Sequence, residues 1–152
     1  PGHMGNHMCF SWEEEKVLFS GDLAMGWATS MVSPPDGDLT DFMNSIKKLQ
    51  HRTQDILFFP GHGAPIKHPS LRLQELYEHR KKREREILLS LKTGLATVSE
   101  ITDSVYADLD KRLITAAKRN VLAHLIDLTS RKICTVSTEI TSNSRFTLTS
   151  KA

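Results

Sequence analysis

The stretch DILFFPGHG, Asp55–Gly63, decides the fold. Four apolar residues in a row, Ile56 to Phe59, run without polar alternation, which predicts a short strand buried on both faces. Pro60-Gly61-His62-Gly63 then stops the strand and sets His62 at its end, where loops usually carry chemistry. Upstream, Met8–Trp12 is a strand, Glu13-Glu14-Glu15 a polar turn and Lys16–Phe19 the returning strand of a hairpin that ends at Ser20-Gly21-Asp22. The turn residues Ser33-Pro34-Pro35-Asp36-Gly37 follow, and Asp38 or Thr40 caps a helix reaching to about His51. Its apolar positions Leu39, Phe42, Met43, Ile46 and Leu49 keep 3–4 spacing.

Downstream, Pro69-Ser70 opens a long helix to about Lys92. Its stripe of Leu73, Leu76, Tyr77, Ile87, Leu88 and Leu91 is interrupted by Arg80 and Glu84, so the middle of this helix is expected to leave the core, or Arg80 and Glu84 to form a paired seam between two parts of the chain. After Thr93-Gly94 the pattern changes. Thr97-Val98-Ser99-Glu100 is a capping box, Ile101–Tyr106 a short helix, Lys111–Leu128 an amphipathic helix with a seam of Leu113, Ala117, Val121, Leu125 and Leu128, and Ile133–Val136 a short strand. Helix, helix, strand is the outline of a winged helix. The Ser/Thr-rich segment 137–152 reads as loop or a loosely attached strand.

Composition narrows the function. The 20 Lys+Arg against 18 Asp+Glu leave +2 on 152 residues, too little for a nucleic-acid or membrane partner to follow from net charge. No apolar run approaches the roughly 20 residues needed to span a bilayer. Cys9 and Cys134 are far apart, with no CxxC and no secretory segment, and read as reduced thiols of a cytoplasmic protein. The run His79–Arg85 could hold RNA phosphates, but its interleaved glutamates fit a solvated helix face. In the winged-helix stretch six basic residues meet five acidic ones, so a DNA partner is not expected.

Three residues at strand ends carry the chemistry: His7, Asp22 and His62. Imidazole nitrogen and carboxylate oxygen are the donors that zinc favours, a carboxylate can bridge two ions, and Gly5, Gly21, Gly61 and Gly63 let backbone approach a crowded centre. Cys9, Trp12 and Trp27 read as packed side chains, with Trp27 the nearer of the two tryptophans to the Asp22 loop.

PGHMGNH at 1–7, FSGDLAMG at 19–26 and FFPGHGAPI at 58–66 together resemble the second half of the metallo-β-lactamase superfamily. The helix carrying His79-Arg80 and Arg83-Glu84, followed by a winged helix, resembles its lactamase-beta-like branch. That resemblance implies an α/β (α+β) chain: residues 1–68 the C-terminal half of an αββα sandwich, 69–92 a connecting helix, 93–136 a winged-helix domain and 137–152 a tail. It implies His7 and His62 as zinc ligands, Asp22 as the catalytic carboxylate bridging two Zn2+ ions, and His3 as a histidine outside the ligand set. The H-x-H-x-D-H motif that supplies the other ligands is not in this sequence, so the chain is expected to be the C-terminal portion of a longer enzyme and inactive by itself. The implied activity is hydrolysis of an ester, thioester or phosphodiester by metal-activated hydroxide. The alternatives are a single-stranded RNA endonuclease of the same fold and a non-catalytic winged-helix nucleic-acid-binding or scaffold protein.

Overall fold

The computed structural model describes residues 1–136 and 139–149 and divides into two units, Pro1–Arg80 and the chain from Lys81 onward. The division falls inside one helix.

In the first unit, β1 (Phe10–Trp12), β2 (Val17–Gly21) and β3 (Leu57–Pro60) form a sheet in that order. β1 and β2 are the hairpin, antiparallel with Phe10 opposite Phe19, and Arg52 ties its tip down through Glu13 at 2.9 Å and Asp55 at 2.7 Å. α1 (Leu39–Gln50) carries the chain across to β3, which lies parallel to β2 with Leu18 opposite Phe58. A crossover of this length is what a parallel pair requires. Asp38 caps α1 by accepting the Asp41 amide at 2.8 Å, and Leu39, Phe42, Ile46 and Leu49 are its buried stripe.

Burial differs between the two faces of the sheet, although Val17, opposite Trp12, is buried as well. Leu18 and Phe58 share the buried face, whereas Phe10, Trp12 and Phe19 on the other are exposed, as is Ile56, which lies just before β3 and is 63% accessible. The unbroken apolar run therefore supplies a buried face through Phe58 and an open apolar face on which Phe59 stacks with Phe19, ring centroids 5.4 Å apart.

α2 (Pro69–Lys92) does not leave the core at its middle. Arg80 is buried: its guanidinium donates to the Ser30 carbonyl and lies 5.2 Å from the centroid of the Phe42 ring. A carbonyl acceptor and an aromatic face together let a cation sit where an apolar residue was expected. The Glu84 carboxylate meets Lys81 and Arg131, both at 2.5 Å. Lys82 and Arg83 each face Glu86, so the basic run is laced by glutamates as its spacing predicts.

The second unit packs α3 (Val98–Val105) and α4 (Ile114–Ser130) with the end of α2 and a two-stranded wing. The capping box is complete: Thr97 accepts the Glu100 amide while the Glu100 carboxylate takes the Thr97 amide at 2.8 Å. Leu113 lies in a 3-10 turn before α4 and is exposed, so the helical seam begins at Ala117. Of the segment 137–152, residues 137–138 and 150–152 lie outside the described residues, and a strand forms within the rest. β5 (Phe146–Leu148) pairs antiparallel with β4 (Cys134–Val136), and Phe146 is buried among Ile87, Val98, Ile101 and Leu125 while its amide donates to Ala96 O at 2.9 Å. One aromatic anchor thus fixes a strand whose Ser/Thr neighbours hide it in the sequence. Among the described residues no helix is long and apolar enough to cross a membrane.

Candidate metal centre

β2 ends in Gly21 at φ 51°, and this turn sets the Asp22 carboxylate at the end of the sheet. A Cβ on Gly21 would stand 2.6 Å from His7 Nε2, so the imidazole packs directly on the glycine. The Asp22 amide donates to His7 Nε2 at 3.0 Å. That bond places the proton of a neutral His7 on Nδ1, which is itself buried without a partner. Burial holds the His7 pKa below its usual value, with the nearby His3 acting the same way and Asp22 opposing them. The neutral ring's one free lone pair, on Nε2, is taken by the Asp22 amide in this arrangement, so His7 could ligate a metal only where that bond is released.

His62 reaches the cluster from the loop after β3, its Nε2 3.6 Å from Asp22 Oδ2, with the side chain 70% exposed. Gly61 makes that approach feasible, since a Cβ there would fall 2.5 Å from Asp22 Oδ1. His3, set aside in the sequence, comes equally close. Its Nε2 is 3.7 Å from Asp22 Oδ2 and its Nδ1 donates to Met31 O at 2.7 Å, because a carbonyl can only accept. The four-residue spacing to His7 was the signal that could have included it. His7, Asp22 and His62, separated in the sequence, thus lie at one edge of the sheet.

Among the described residues no three His, Cys, Asp or Glu side chains close around a single point as a complete ligand set. Asp22 Oδ1 is nevertheless buried and has no hydrogen-bond donor. A carboxylate oxygen withdrawn from water without a donor costs several kcal/mol unless a cation meets it, so this orphaned oxygen fits a divalent ion. Cys9 lies next to the cluster in sequence but is half-buried, its Sγ 3.4 Å from Ser20 O, and burial raises its pKa, which suits a protonated thiol. Neither tryptophan packs in the core: Trp12 donates to Glu14 from an exposed site, and Trp27 is 71% exposed.

Residues 1–62 match the profile of the metallo-beta-lactamase superfamily, and residues 97–133 that of the beta-lactamase associated winged helix domain. A beta-lactamase-like protein 2 homolog of Caenorhabditis elegans is 36% identical over 135 residues, covering 88% of this chain and 42% of its own length. An atrochrysone carboxyl ACP thioesterase of Aspergillus fumigatus is 31% identical over 138 residues, 80% of this chain and 42% of its own. This chain therefore spans about two-fifths of the curated relatives it matches. The crystal structure of a metallo-beta-lactamase family protein from Thermus thermophilus superposes with a TM-score of 0.80 at 25% identity over 98% of this chain and 47% of that one. A beta-lactamase domain protein from Burkholderia ambifaria shares the fold at TM-score 0.82 and 21% identity, over 97% of this chain and 46% of its own.

Proposed function

Since the chain belongs to the metallo-beta-lactamase superfamily, with a winged helix after its sandwich strands, we propose that it contributes one side of the metal centre of a hydrolase, with Asp22, His7 and His62 as ligands of two divalent ions, zinc by preference. The observation that carries this reading is the buried Asp22 Oδ1 without a donor, 2.5 Å from where a Gly61 Cβ would be, on a carboxylate whose other oxygen lies 3.6 Å from His62 Nε2. Bound there, a dication supplies Lewis acidity and makes water a nucleophile near neutral pH.

The chain's own residues do the rest. The Asp22 amide orients His7, Asp22 holds the negative charge at the end of β2, and the exposed ring of His62 borders the side open to substrate. Thioesters are the favoured substrate class, supported by relatives in Aspergillus fumigatus and Paecilomyces divaricatus that carry thioesterase names. The glutamates opposite Lys81, Lys82 and Arg83 leave less positive charge for the RNA reading. Two free thiols fit a reducing, cytoplasmic compartment. The test is thioester hydrolysis by the full-length protein before and after chelation. Loss on chelation and recovery with zinc support the reading, and turnover indifferent to chelator contradicts it.

A further inference from the structure

Trp27 combines two properties that rarely occur together, in that the indole is 71% exposed while the backbone around it is firmly braced. Arg72 of α2 donates from Nε to Met25 O at 2.7 Å and from Nη2 to Ala28 O at 2.8 Å, gripping the loop on both sides of the tryptophan, and Glu75 holds the same guanidinium at 2.9 Å. The ring edge rests on Gly63. That glycine has φ 90°, and a Cβ there would lie 2.6 Å from Trp27 Cδ1, so glycine is required both by the turn and by the contact. Gly63 directly follows His62, whose ring faces Asp22. A large apolar face is thus held rigidly next to the loop that presents a proposed metal ligand. Ordering such a face in water gains nothing for the fold, whereas a preorganised aromatic surface lowers the cost of holding a flat ligand.

We infer that Trp27 is a specificity-determining residue, the wall against which a planar or aromatic acyl group of the substrate packs beside the metal centre. The inference rests on the hydrolase reading above and names its substrate class more narrowly: thioesters with aromatic acyl groups over short aliphatic ones.

The experiment compares the S-benzoyl and S-acetyl thioesters of N-acetylcysteamine with the full-length protein and its Trp27→Ala, Trp27→Phe and Asp22→Ala variants. The two KM values are compared within each variant, so an effect of Trp27→Ala on folding, or on both substrates alike, cancels in their ratio. Trp27→Ala is expected to raise KM for the benzoyl substrate about tenfold with kcat little changed, and Trp27→Phe to recover most of the loss, as an aromatic contact predicts. An unchanged benzoyl-to-acetyl KM ratio in Trp27→Ala, with Asp22→Ala inactive, overturns the inference and leaves the hydrolase reading standing. Full activity in Asp22→Ala, or a wild-type protein that turns over neither thioester, overturns the hydrolase reading and this inference with it.

Discussion

Gly61→Ala probes the site through one added methyl group. The new Cβ would stand 2.5 Å from Asp22 Oδ1 and 3.3 Å from its Cγ, and also 3.5 Å from the backbone carbon of Gly21. The carboxylate must therefore retreat by about 0.9 Å to reach ordinary contact at 3.4 Å, because the backbone of Gly21 leaves little room on the other side. Misplacement of a reacting group by about 1 Å costs roughly 100-fold in rate. Gly61→Ala is expected to fold, to lose most bound metal and to lower kcat/KM for a thioester by about that factor. Gly5→Ala is the matched control, since its Cβ would meet only Asp36 O at 3.8 Å. Elemental analysis, thermal melting and initial rates on the full-length protein read all three quantities. Full metal content and full rate in Gly61→Ala would refute the claim that the oxygen beside Gly61 is the working one.

Other substitutions test the packing. Phe146→Ala removes the wing's anchor and is expected to destabilise the second unit by about 3–5 kcal/mol, read as a lower unfolding midpoint in urea. Arg80→Ala leaves the buried Ser30 carbonyl without its donor and is expected to cost about 1–3 kcal/mol in the first unit by the same measurement, whereas an exposed side chain would cost little. The Glu100 carboxyl is held down to about 2 from an ordinary value near 4.5, first by the Thr97 and Ala96 amides and then by the Thr97 hydroxyl. Its folded pKa lies below its unfolded one, so its contribution is full above about pH 4.5 and fades as pH falls toward 2. Melting of wild type and Glu100→Gln is therefore expected to differ at pH 7 and to converge near pH 2. His3→Ala should leave metal stoichiometry intact, and elemental analysis showing a lost ion would make His3 a ligand.

Much of this architecture is legible in the sequence because local chemistry and tertiary structure agree. Asp38, the Thr97–Glu100 box and the 3–4 spacing of α1 fix their helices by side-chain hydrogen bonds and one apolar stripe, and both are local signals. Asp22 and His62 stand out in the sequence because each follows a strand beside a glycine that a close approach demands, whereas His7 precedes β1 and meets them by packing on Gly21. What escaped was set by distant partners. Arg80 breaks an apolar stripe yet is buried, since Ser30 and Phe42, far away in the chain, receive it. Phe146 sits among serines and threonines whose pattern gives no period, and only pairing with Cys134–Val136 makes them a strand.

The metal content of Asp22→Ala decides whether this sheet edge is a metal centre. The wild-type full-length protein is expected to hold two divalent ions, with Asp22 supplying a carboxylate whose negative charge would offset the repulsion between them. Elemental analysis of the purified variant is expected to show that metal lost, together with hydrolysis. An Asp22→Ala protein with unchanged metal stoichiometry would remove Asp22 from the ligand set and the proposed centre with it.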